Sequence, residues 1–173
     1  MFAGQRGLRR AKSRRSRLEA VVAELDLPEA WTVDEFVTAV EKFRSRGLQL
    51  IPLPDTALVG LCGVWLATPD IDVIFHRPTS DPAQRHQTIT HECAHMLLNH
   101  GVDDDLTQEQ LAELLTGISL EAYNLDLSMV KAARGMTDYD DPDEYDAELF
   151  ATIITTQASE VTARSRGRIL RAF

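Results

Sequence analysis

The chain lacks the marks of a membrane-spanning, secreted or disulfide-built protein. Nowhere in its 173 residues do eighteen consecutive apolar side chains occur, so no bilayer-spanning helix is predicted. The opening, "MFAGQRGLRRAKSRRSRLEA", has no apolar centre of the secretory kind. Its first seventeen residues, rich in Arg and Ser and free of acid, match an organelle transit peptide in composition, but they lead straight into a predicted helix. Only two cysteines occur, Cys62 and Cys93, both in apolar surroundings. Two isolated thiols make no disulfide framework; both are expected to be reduced and packed in the core. These absences predict a cytoplasmic protein with no membrane partner. There is no internal repeat, and no low-complexity segment beyond the basic start.

Positive charge is scarce in the body of the chain. The net charge of −9 divides into +7 over residues 1–17, +3 over 158–173 and −19 over 18–157. So acidic a body excludes broad nucleic-acid binding. Contact with nucleic acid is left to the N-terminal arm, which is expected to be flexible and has one aromatic residue, Phe2, and no stacking platform. A hydrophobic content of 44% and a charged content of 26% are those of a globular protein. The length suits a single core.

Periodicity divides the chain further. Leu18, Val21, Val22 and Leu25 share a helical face over 17–25, and Thr32 with Glu35 forms a capping box for a helix that Gly47 should end. "LQLIPLP" reads as an edge strand because Pro52 and Pro54 cannot donate to a ladder. "VGLCGVWLAT" and "IDVIFHR" predict a hairpin turning at Thr68–Asp70. Ser80 or Asp81 caps a helix that runs to about His100, with Gly101 as its stop. In residues 102–141, "LTQEQLAELL" and "LSMVKAAR" read as helical. A last helix begins near Pro142, capped by Asp141, with Ala147, Phe150, Ala151 and Ile154 at core spacing. The predicted organisation is a flexible arm 1–17, a helical lobe 18–47, a domain 48–160 with an insertion 102–141, and a basic tail 161–173. The predicted fold class is α+β, mostly helical, with a small antiparallel sheet beside one central helix.

That central helix carries "THECAHMLLNHG". On 3.6 residues per turn, His91 and His95 project side by side and can share one zinc ion. Glu92 is rotated by about 100°, beside the ion without ligating it, where a carboxylate can take a proton from an attacking water. Ile89, Cys93, Met96 and Leu97 fall on the opposite, core-facing side, which makes Cys93 a packing residue. An exposed helical His pair is the competing explanation. A third protein ligand leaves one position open for water. Leu98 and Gly101 stand where a metzincin has Gly and His, so that class is excluded. His100, five residues past His95, is expected to point elsewhere. The last helix offers Glu144 in its first turn as the ligand and Glu148, one turn on, as an acceptor for a ligand imidazole. Without the His pair, this acidic cluster is equally explained by the helix dipole.

The order of helical lobe, hairpin, "HQTITHECAHMLLNH" and "EYDAELFA" resembles the ImmA/IrrE family of metallopeptidases over residues 30–156. In the second motif the matching positions are Glu144, Ala147, Phe150 and Ala151. The resemblance implies a minimal metallopeptidase core, one zinc ion held by His91, His95 and Glu144, and Glu92 as general base. It also implies a regulatory endopeptidase that inactivates a helix-turn-helix transcriptional repressor. Two features depart from the family pattern: 48 residues separate His95 from Glu144, and Asp146 stands where many members have Glu. The long insertion is expected to form a lid or a partner surface. Candidates for stabilising the oxyanion are Tyr123, Tyr139, Tyr145, His86 and His100. An extended substrate would pair with the hairpin edge. The alternative function is a non-catalytic, metal-containing regulator that binds a repressor or an antitoxin-like partner.

Overall fold

The computed structural model describes residues 3–61, 63–100, 107–130, 132–135 and 142–169. Five helices are described, α1 (Ala3–Glu24), α2 (Val33–Arg44), α3 (Pro82–Leu97), α4 (Gln108–Leu114) and α5 (Pro142–Ile169), together with four strands, β1 (Gly47–Pro52), β2 (Gly63–Ala67), β3 (Ile71–His76) and β4 (Ala132–Gly135). Single 3₁₀ turns lie at Leu120–Tyr123 and Leu127–Met129. The fold is α+β, as predicted.

The strands form one mixed sheet in the order β1-β3-β2-β4. The predicted hairpin is present: β2 runs antiparallel to β3, with Trp65 opposite Ile74. Two features correct the expectation of a small, wholly antiparallel sheet. β1 lies parallel to β3, with Leu50 opposite Ile74, and β4 pairs antiparallel with β2. Both flanks of the hairpin are therefore occupied, and the outer strands of the sheet are β1 and β4. An extended substrate cannot pair with the hairpin itself.

Alternation along the strands builds a core on each face of the sheet. On the inner face, Trp65 and Ile74 pack with Leu18 and Val22 of α1, Phe36 and Val40 of α2, Ile89, Cys93 and Met96 of α3, and Phe150 and Ile154 of α5. On the outer face, Val64, Leu66, Val73 and Phe75 pack with Leu111, Leu115, Ile118 and Leu120. The described part of the 102–141 segment thus forms a structural layer over the sheet, not a lid. Its LSMVKAAR stretch is a 3₁₀ turn followed by β4, not a helix. The predicted 18–47 lobe shares its core with α3 and α5 and is not a separate lobe.

Three boundaries also move. Residues 3–17 are not a loose arm but are helical and continuous with 18–24. Arg14 and Arg17 meet the buried Asp146 of α5 at 2.9 and 2.5 Å, which anchors this end of α1. Arg14 also lies over the Tyr145 ring. At the other end, α5 continues through residue 160 to Ile169, so no separate tail begins at 161. α2 ends at Ser45 in the left-handed region (φ 54°), before Gly47, which opens β1. The capping box of Thr32 and Glu35 is present, and Asp81 caps α3 by accepting from the Ala83 amide. Cys62, Gly101 and Asp141 lie outside the described residues.

Candidate metal centre

α3 and α5 pack against each other, with Ala94, Ala147 and Ala151 fully buried. Small side chains allow such helices a close approach, and the first turn of α5 comes to rest beside the second half of α3. His91 and His95 face that turn. Their Nε2 atoms are 3.1 Å apart. Glu144 completes the group, with Oε2 3.3 Å from His91 Nε2 and Oε1 3.5 Å from His95 Nε2.

These separations test the fit of a metal ion. Four ligands placed tetrahedrally at about 2.0–2.1 Å from zinc stand roughly 3.3 Å apart. The two imidazole nitrogens, 3.1 Å apart, and the distance from each to its nearer Glu144 oxygen, 3.3 Å to Oε2 and 3.5 Å to Oε1, lie near that spacing, with one carboxylate oxygen turned to each imidazole. Among the described residues these three form the only group of His, Cys, Asp or Glu side chains that could hold an ion. Two imidazoles and one carboxylate make a borderline donor set that suits zinc. Two imidazole nitrogens facing each other at this distance need a proton or a cation between them, because their lone pairs otherwise repel. The residues present therefore fit a single divalent ion.

The electrostatics agree with that fit. Burial would lower the His91 imidazole, but hydrogen bonding to Glu144 and the charges of Glu92, Glu144 and Glu148 overcome it and raise its pKa. Burial would raise Glu144, but the two imidazoles outweigh it and hold the carboxyl well below its ordinary value. Glu92 behaves in the opposite way. It is only 3% exposed, and burial, helped by the charge of Glu144 and opposed by His91, pushes its pKa up to about 8. Its Oε2 has no hydrogen-bond partner among the described residues. A buried carboxylate oxygen left without a protein donor is costly. Glu92 lies next to the His pair on α3.

Gly63, the first residue of β2, makes room for Glu92. A methyl group at this position would come within 2.5 Å of Glu92 Cδ and 2.7 Å of Cγ. The sequence reading missed this contact. Its only trace there was a glycine at a strand start, which marks a close approach as often as a turn.

His100 does not point elsewhere, as expected from helical spacing. α3 ends at Leu97, and Asn99 adopts the left-handed conformation (φ 58°). The His100 amide then donates to the His95 carbonyl at 2.8 Å. Asn99 turns the chain. The turn brings the His100 ring back under His95, with Nδ1 to Nδ1 at 3.0 Å, where it is buried. Asparagine's tolerance of that conformation was the available signal.

The remaining candidates separate by position. Glu148 Oε2 is 3.5 Å from His91 Nδ1, while its Oε1 accepts from Gln87 at 3.0 Å. Tyr123 packs edge-on against Phe75 in the outer core, on the far side of the sheet from the His pair. Tyr145 is turned toward Arg14 of α1, and His86 stacks on Trp31. None of these three lines the His–Glu group, which corrects their candidacy as oxyanion donors. His100 lies behind His95, which removes it as well. Tyr139 is outside the described residues. Cys93 is fully buried, and burial pushes its thiol far above its ordinary value, so it is a core residue. Among the described residues no helix is long and apolar enough to cross a membrane. Comparisons of the chain with family models, curated proteins and solved structures find no match.

Proposed function

We propose that the protein is a zinc-dependent endopeptidase. One observation carries this reading: a buried carboxylate, Glu92, has an oxygen unmet by any donor among the described residues, beside three ligand atoms spaced for one ion. His91 and His95 of α3 and Glu144 of α5 would hold the ion. When bound, it supplies acidity to a water and polarises the substrate carbonyl. Glu92 takes the proton of that water as its oxygen attacks the carbonyl carbon. Glu92 then delivers the proton to the amide nitrogen as the C–N bond breaks, leaving a carboxylic acid and an amine; the acid's proton passes to the amine, giving a carboxylate and an ammonium. Base function requires ionised Glu92, which a divalent charge beside it favours.

Among the described residues the group has three protein ligands, from two helices, and a three-ligand set suits a catalytic site with a position for water better than a closed structural one. The motif order of the His helix and the last helix, similar to ImmA/IrrE metallopeptidases, supports a helix-turn-helix repressor as the substrate, with cleavage relieving repression. The −19 charge of residues 18–157 suits a basic, DNA-binding partner. We place the protein in the cytoplasm, where such a substrate resides.

The test is a pair of variants assayed on a helix-turn-helix repressor that co-purifies with the protein. Glu92→Gln should keep stoichiometric zinc and lose cleavage by about 10²–10⁴-fold. His91→Ala should lose both. Full biological activity in Glu92→Gln would leave only a non-catalytic regulator.

A further inference from the structure

We infer that His100 and Asp143 are positioning residues that fix the His95 imidazole for the ion, an inference resting on the metal reading above. His95 Nε2 faces His91 Nε2 at 3.1 Å and Glu144 Oε1 at 3.5 Å, so this nitrogen must present a lone pair to a metal. A neutral imidazole that ligates through Nε2 carries its proton on Nδ1. That proton points at His100 Nδ1, 3.0 Å away, which must accept it. His100 is thereby left with its own proton on Nε2. The carboxylate of Asp143 lies 3.7 Å from that atom, beyond direct hydrogen-bond reach, and its negative charge favours the proton on that side of the ring. The ring protons of His95 and His100 are thereby placed consistently.

The geometry makes the series stiff. His95 and His100 are both buried, their rings edge to face with centroids 5.1 Å apart. The left-handed turn at Asn99 and the amide bond from His100 to the His95 carbonyl fix the backbone between them. Asp143 and Glu144 are consecutive in the first turn of α5. One reaches the metal-facing nitrogen of His95, and the other reaches His95 from behind through His100. A single helix end thus sets both sides of one ligand. Outer partners of this kind orient a ligating imidazole and raise its basicity.

The test compares zinc affinity, by competition with a chromophoric chelator, in wild type, His100→Phe and His100→Asn. Phenylalanine keeps the ring shape without an acceptor, whereas asparagine restores an oxygen near the place of Nδ1. His100→Phe should weaken zinc binding by about 10–100-fold, and His100→Asn should recover most of it. In zinc-loaded wild type, ¹⁵N spectra should show the His95 proton on Nδ1, a readout that needs no variant to fold. Wild-type affinity in a folded His100→Phe, equal losses in both folded variants, or the His95 proton absent from Nδ1 would each overturn the inference. Zinc bound without hydrolysis would sink the endopeptidase reading and leave this inference standing. Hydrolysis with an indifferent His100 would do the reverse.

Discussion

The two faces of the sheet bury different kinds of side chain. The outer core, from Ile51 and Leu53 through Val64, Leu66, Val73 and Phe75 to Leu111, Leu115, Ile118 and Leu120, is hydrocarbon and aromatic. The inner face buries Asp72, Glu92, His95, Glu144 and Asp146 among its apolar residues. Most of these charges are answered. Asp72 accepts from Arg44 at 2.8 Å and from the Trp65 indole at 3.2 Å, and Asp146 meets Arg14 and Arg17. Glu144 faces the two imidazoles. Glu92 differs in that no basic side chain lies in ion-pair contact with it among the described residues, and its Oε2 has no hydrogen-bond partner there. Burying charge costs free energy unless it is paired. The outer layer is thus apolar packing alone, whereas the inner one also holds the three residues that could bind an ion.

Breaking the outer layer should produce the largest effect. Leu115→Ala removes a side chain only 4% exposed and should destabilise the fold by about 2–5 kcal/mol. Urea unfolding would measure the loss. Cleavage per folded molecule should not change; a change would mean that the outer layer also shapes the site.

Next in size is a gain of stability on the inner face. The folded-state pKa of Glu92 is raised from 4.5 to about 8, so the folded protein holds a proton that the unfolded chain releases. Stability in the metal-free protein is therefore lost as pH rises from 4.5 toward 8. Glu92→Gln removes that loss. At pH 7.5, about three units above 4.5, under chelator it should be more stable than wild type by up to about 4 kcal/mol at 1.36 kcal/mol per unit, and the gain should vanish near pH 4.5. Unfolding curves at the two pH values check the sign. A constant offset at both would locate the effect outside Glu92's ionisation.

The smallest expected effect sharpens the contrast most. In Gly63→Ala the least costly escape from the clash is for Glu92 to rotate away, because the crowded atoms belong to its side chain. Turnover should fall by about 10–100-fold while zinc affinity stays within a few-fold. Equal loss of zinc would show that the whole site had shifted.

Much of the inner face was legible in the sequence, because its signals are local. The i, i+4 His pair, the Thr32–Glu35 box, the Asp81 cap and the spacing of Ala147, Phe150 and Ile154 each need only one helix. Glu144 was legible for a different reason: a pair of imidazoles implies another donor, and the next acidic helix start supplies it. What escaped was set by distant pairing. The parallel match of β1 with β3 leaves no mark on either strand. β4, whose Ala132–Gly135 run lacks β-branched residues, is a strand because β2 offers it a free edge. His100 escaped because one left-handed asparagine redirects it, and helical spacing alone sends it the other way.

The grouping of His91, His95 and Glu144 depends on chain that is made far apart. A ribosome releases the first two long before the third, and until α5 has emerged and docked, α3 holds two histidines and no complete clamp. On the proposed reading, the ion site stays incomplete during synthesis and forms only when the last helix closes on the rest.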